Sequence, residues 1–173
     1  MNYETIEVTE RRKKLELRLE KIKDLKSSKE NFLHYVKRVW PEFIGGAHHT
    51  MIAKKFEDIA NKRIKRLIIN MPPRHTKSEF ASYLFPSWVI GRDPTTKIIQ
   101  TTHTAELAVN FGRKVRNLLD ADVYNTIFDG VSLQADSKAA GRWSTNHGGE
   151  YFAAGVGGAI TGRGADLLII DDP

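Results

Sequence analysis

Lys77 and Ser78 close the octapeptide Met71-Pro72-Pro73-Arg74-His75-Thr76-Lys77-Ser78. It stands between a short apolar run, Leu67-Ile68-Ile69-Asn70-Met71, and a stretch of helical periodicity from about Lys77 to Ile90. A strand-to-helix turn ending in Lys-Ser is the setting of the phosphate-binding loop G-x-x-x-x-G-K-[ST]. There, backbone N–H groups cradle phosphates, the lysine reaches the outer ones and the hydroxyl meets magnesium. Both glycines of that pattern are replaced, by Met71 and Thr76, and Pro72 and Pro73 carry no N–H. The cradle therefore falls to the amides of Arg74, His75, Thr76, Lys77 and Ser78. Thr76 is β-branched, so a positive φ there is strained, and the sequence predicts a negative φ and a loop unlike the glycine form. Taken alone, the octapeptide reads better as an ordinary strand-to-helix turn.

A second element changes that balance. Leu167-Leu168-Ile169-Ile170-Asp171-Asp172 places two carboxylates at the carboxyl end of an apolar strand, the edge at which a parallel sheet binds ligands. Asp171 is suited to hold magnesium directly or through water, and Asp172 to orient or deprotonate an attacking water. Each element also has a plain structural reading, a strand end followed by a Pro-containing turn. Both together, in this order and context, favour the chemical one.

Around these residues, segments of helical and strand pattern alternate. Leu15, Leu19, Ile22 and Leu25 leave a narrow apolar stripe on a charged helix over 11–29. Ser27-Ser28-Lys29-Glu30 reads as a capping box opening a second helix that Pro41 stops, and His48, Ile52, Phe56 and Ile59 mark a third. Beyond Arg66 the pattern predicts strands at 67–71, 97–102 and 167–170, helices at 77–90 and 104–119, and a hairpin-like pair, 142–145 and 150–154, around His147-Gly148-Gly149. Such alternation argues an α/β fold with a mainly parallel sheet flanked by helices. The expected division is a basic helical subdomain over 1–65 and a nucleotide-binding core over 66–173.

Composition bounds the alternatives. The 173 residues, 40% of them hydrophobic, fit one ordinary domain or a piece of a larger protein. No apolar run is long enough to span a bilayer and no signal-peptide core is present, so the expectation is a soluble intracellular protein. With no cysteine there is no disulfide, thiolate nucleophile or Cys-based metal site. The net charge of +6 is uneven, with 17 basic and 10 acidic residues over 1–66 against 10 basic and 11 acidic over 67–173. A positive field of that kind suits nucleic acid, and equally a solvated helix face.

On these motifs the chain resembles the large terminase subunit of tailed bacteriophages, the family whose ATPase domain drives DNA packaging. The resemblance covers about residues 32–173. It rests on His48-His49, on RLIINMPPRHTKS from Arg66 to Ser78, on IIQTTHTAELA from Ile98 to Ala108, and on GVGGAITGRGADLLIIDDP from Gly155 to Pro173. It implies a P-loop NTPase of the additional-strand class, with ATP and magnesium as cofactors and double-stranded DNA as the translocated substrate. It also implies a portal protein and a small terminase subunit as partners, a homo-oligomeric ring, and a place in the infected host's cytoplasm and transiently at the procapsid portal, with no membrane. Lys77 and Ser78 take the Walker A roles on phosphate and magnesium, and Asp171 takes the Walker B role on magnesium. Arg74 matches a loop arginine that senses or stabilises the γ-phosphate, and Arg163 one that reaches a neighbouring subunit's nucleotide. Asp172 stands where this ATPase class usually carries a catalytic glutamate. Complete relatives continue into the rest of the ATPase domain and a metal-dependent nuclease, so the expectation is an N-terminal fragment or the product of an interrupted gene, with an incomplete domain.

Other residues stay open. Trp40 and His48 precede the loop at about the interval of an adenine-contacting segment, although a buried Trp and a capping His fit as well. His48 and His49 are adjacent on a helix and are not expected to share a face on which to bind metal. Thr101, Thr102 and His103 end a strand at the ligand edge, where a helix cap from Thr104 serves equally. A helicase-like DNA translocase shares both nucleotide motifs, and a non-catalytic nucleotide-, DNA- or partner-binding module is the alternative of a different class.

Overall fold

The computed structural model describes residues 3–173, so Met1 and Asn2 of the 1–65 segment lie outside it. Three helices come first: α1 (Tyr3–Glu30), α2 (Phe32–Val39) and α3 (Ala47–Ala60). The capping box expected at Ser27–Glu30 lies inside the end of α1. Asn31 opens α2 instead, its Oδ1 accepting the His34 amide at 2.7 Å, because a side-chain acceptor is what the first free amides require. Glu57 of α3 accepts the next free amide, that of Phe32, at 2.9 Å.

After the loop, the chain is helical from residue 77, with a π-helical segment Glu79–Leu84 running into α4 (Phe85–Arg92). Then follow β1 (Lys97–Thr102), α5 (Ala105–Leu119), α6 (Asp122–Ile127), β2 (Leu133–Ala139), β3 (Arg142–Thr145), β4 (Glu150–Gly155) and β5 (Leu167–Asp171). The result is an α/β fold in which helices flank a five-stranded sheet of order β2-β3-β4-β1-β5.

The sheet is mixed rather than mainly parallel. β1 pairs in parallel with β4 and β5, whereas β3 pairs antiparallel with both β2 and β4. The short turns before and after β3 cannot return the chain to a parallel start, so they impose the antiparallel half. The expected strand at 67–71 does not form. That run joins no ladder, and Ile68 is 86% exposed. Strand character belongs to a paired, half-buried surface more than to local sequence, and this run lacks the pairing.

Register sorts the sheet's side chains. Ile98, Gln100, Thr102, Ile169 and Asp171 alternate onto one face, which α5 and the π-helical segment approach. Ile99, Thr101, Leu168 and Ile170 alternate onto the other. At the far end, Trp143 stacks flat on Tyr151 with centroids 4.8 Å apart and donates to the Gly112 carbonyl of α5 at 3.1 Å. A Cβ on Gly112 would stand 2.7 Å from the Ala140 carbonyl, so only glycine allows this approach.

The core runs without a break across residues 65 and 66. Phe32 of α2 lies at its centre, edge-on to Phe56, Phe80, Phe85 and Trp88 at 5.4–5.9 Å, while Phe56 stacks on Phe85 at 4.3 Å. Trp88 Nε1 donates to the Ser28 carbonyl at 3.0 Å, and the Tyr35 hydroxyl meets Ser87 Oγ at 2.7 Å. The helical layer is thereby fixed to the helix that follows the loop.

Candidate functional site

Strand pairing positions the acidic end. Thr102 sits opposite Asp171 in the parallel ladder, and alternation turns the Asp171 carboxylate into the helical face, where it is 5% exposed. Ser82 Oγ donates to Asp171 Oδ2 at 2.8 Å, and Gln100 Nε2 donates to Ser82 Oγ at 3.0 Å. A neutral buried relay thus fixes one carboxylate oxygen. The other, Oδ1, lies 3.7 Å from Lys77 Nζ. Asp172 leaves the strand with φ +45 and turns its exposed carboxylate onto the same Lys77 ammonium. Residues 95 positions apart in sequence therefore meet at one point. The hydrogen bond to Asp172, with the charges of Asp171 and Asp172, raises the Lys77 pKa above its ordinary value against an opposing effect of burial.

The loop departs from expectation at Thr76, whose φ is +61 rather than negative; Arg74 is likewise left-handed at +63. A left-handed β-branched residue costs about 1–2 kcal/mol. The physical return is geometric: a left-handed residue followed by the right-handed helix start aims successive N–H groups into one concavity, the form of an anion-binding nest. The amides of Arg74 and Thr76 donate to no protein acceptor among the described residues. The Thr76 carbonyl accepts the Phe80 amide at 2.9 Å and starts the helix. Ser78 follows in right-handed geometry, and its hydroxyl does not cap the helix.

The remaining expected residues fall in two places. His48 lies beside the loop, its ring 6.0 Å from that of His75 and 3.8 Å from that of His49. The expectation that His48 and His49 point apart is wrong. They occupy the first turn of α3, and their Nε2 atoms approach to 3.1 Å. Trp40 stands one layer back, half-buried against Phe43, which itself packs on Phe80 and His49. Arg163 is on the opposite sheet face from Asp171, its guanidinium 4.1 Å over the Phe152 ring, at an open groove of about 560 Å³ lined by Ile99, Leu168 and Ile170. Thr102 and Thr101 spend their hydroxyls on the Thr104 and Ile169 carbonyls, and Thr104 caps α5. Sequence reasoning passed over Ser82, Gln100 and His49 as site residues. Ser82 stands one helical turn after Ser78, but nothing in its neighbours signals a partner 89 residues away.

The donor set can be tested against magnesium. Asp171, Asp172 and the Ser78 hydroxyl are hard oxygen donors, and Asp171 is already oriented through one oxygen. Among the described residues no group of three or more His, Cys, Asp or Glu forms a protein cage. Magnesium normally takes only one or two carboxylates and completes its shell with water and phosphate oxygens, so these residues fit it. Among the described residues no helix is long and apolar enough to cross a membrane. Comparison with protein-family models, curated proteins and solved structures found no match to this chain.

Proposed function

We propose that this chain is the ATPase portion of a viral DNA-packaging motor of the large terminase type, a P-loop NTPase of the additional-strand class. The observation that carries the reading is the meeting of Lys77 with Asp171 and Asp172 beneath a left-handed loop with free amides. Phosphates lie against the amides of Arg74 to Ser78, and Lys77 turns from the carboxylates to the outer phosphates. Asp171 and Ser78 hold magnesium, which supplies charge neutralisation to the triphosphate when bound. Asp172, released from Lys77, accepts a proton from water as the water oxygen attacks the γ-phosphorus. The bond to the bridging oxygen breaks and ADP departs with its electron pair. Arg74 offsets the charge that develops.

Resemblance alone extends the reading to double-stranded DNA, the portal protein, the small subunit, a homo-oligomeric ring, and the host cytoplasm and procapsid portal. In that ring Arg163 serves a neighbouring subunit's nucleotide, and its place on the face away from Asp171 favours action in trans over action in its own site. A non-catalytic nucleotide-binding module is the second reading, favoured by Asp172: one methylene shorter than glutamate and held by Lys77, it stands farther from an attacking water. Phosphate release with and without double-stranded DNA, for wild type and Asp172→Asn, separates the two. DNA-stimulated release that Asp172→Asn abolishes supports the motor. Nucleotide binding with no release in either protein supports the module.

A further inference from the structure

We propose that His49 is the positioning residue of the phosphate loop, holding Thr76 left-handed where the loop has no glycine. The inference rests on the phosphate-binding reading above. His49 is 5% exposed, with its ring edge-on to Phe43 at 4.8 Å and against Phe80 at 4.9 Å. The Gly46 amide donates to His49 Nδ1 at 2.9 Å, which assigns the ring proton of the neutral imidazole to Nε2. Thr76 Oγ1 spends its own hydrogen on the His75 carbonyl at 2.6 Å, so it is an acceptor toward His49 Nε2, 2.6 Å away. The chain of donors runs in one direction: Gly46 amide, His49, Thr76, His75 carbonyl.

Each link fixes the next. The ring is set by two phenyl groups and a backbone amide of the α3 start, and the threonine hydroxyl is set by the ring. Glycine reaches positive φ freely but offers no handle. Threonine resists it but has a hydroxyl by which a neighbouring element can hold it. The loop thereby answers to α3, and its affinity for phosphate depends on the fraction of molecules in which the hold is made. The charged and titratable groups around His49 are His48 and His75 on the ring's flanks and Lys77 across the small cleft it lines with Ile52, Met71 and Phe80.

Two readouts test this. In the nucleotide-free protein, NMR shifts and three-bond couplings report the Thr76 backbone. Left-handed geometry is expected in wild type and His49→Gln, whose amide reproduces the Nε2–H donor. Loss of it is expected in His49→Ala and in His49→Asn, which keeps only the arm toward Gly46. Titration with a magnesium complex of a non-hydrolysable ATP analogue should then show His49→Ala and His49→Asn about tenfold weaker or more, as a competent fraction of a tenth or less implies. His49→Gln should lie within about threefold of wild type. Thr76→Gly should restore binding in the His49→Ala background. An unchanged Thr76 backbone in His49→Ala overturns the proposal, as do losses from His49→Ala and Thr76→Gly that simply add. If wild type binds no analogue, the phosphate-binding reading fails, and the hold on Thr76 is decided by the resonances alone.

Discussion

Asp171 is buried, and Ser82 is the residue that gives its Oδ2 a donor. Ser82→Ala should leave that oxygen without a partner and cost about 1–3 kcal/mol, read as a lower urea midpoint at unchanged slope, with weaker magnesium-dependent nucleotide binding. His49 makes a second prediction, of stability against pH. Its pKa is lowered from 6.5, first by burial and then by His48 and His75. As pH falls below 6.5, the unfolded chain takes up this proton before the folded one, so the contribution of His49 is complete above that value and declines beneath it. The melting temperature of wild type should therefore fall more steeply on acidification from pH 6.5 than that of His49→Gln. Parallel slopes would contradict the assignment. Thr76 shows where residue rules fail: local sterics favour negative φ, yet Thr76 has φ +61, with its Oγ1 2.6 Å from His49 Nε2.

Helices were legible because their signals are local. The apolar spacing of Phe32, Val36, Ile52, Phe56 and Ile59 located α2 and α3, and Thr104 announced α5. β1 and β5 were legible as apolar runs, and the β3–β4 hairpin from the glycines between its strands. The run 67–71 carries an equally good strand pattern, yet it lacks the neighbours that would make it one. β2, with its polar sequence Leu133-Gln134-Ala135-Asp136-Ser137-Lys138-Ala139, carries almost no pattern and became a strand through pairing with β3. The π-helical turn at Glu79–Leu84 was not visible either, since one inserted residue scarcely alters helical periodicity. That turn holds Ser82 and Phe80, so it bears directly on the site. The joint between helical layer and loop helix is aromatic, and Phe32→Ala should cost about 3–5 kcal/mol. Chemical denaturation would measure it; a cost below about 1 kcal/mol would mean that the two layers are not welded by this cluster.

Across the whole chain, the basic excess lies in the first third and the acidic pair at the carboxyl end of β5, on the edge of the sheet, and Lys77 meets that pair. Arg163 lies on the other sheet face against Phe152. In assembled protein Arg163→Ala should abolish turnover and spare nucleotide binding, and mixtures with Lys77→Ala subunits should recover part of the activity. No recovery at any mixing ratio would count against action in trans. Every such prediction depends on Lys77 exchanging its carboxylate partners for phosphate. Calorimetric titration of wild type and Lys77→Ala with a non-hydrolysable ATP analogue, with and without magnesium, addresses that exchange directly. Loss of a charge-assisted contact of about 1.5–3 kcal/mol predicts magnesium-dependent binding by wild type and affinity weakened tenfold to over a hundredfold in Lys77→Ala. Equal affinity in the two proteins would contradict the phosphate-binding account.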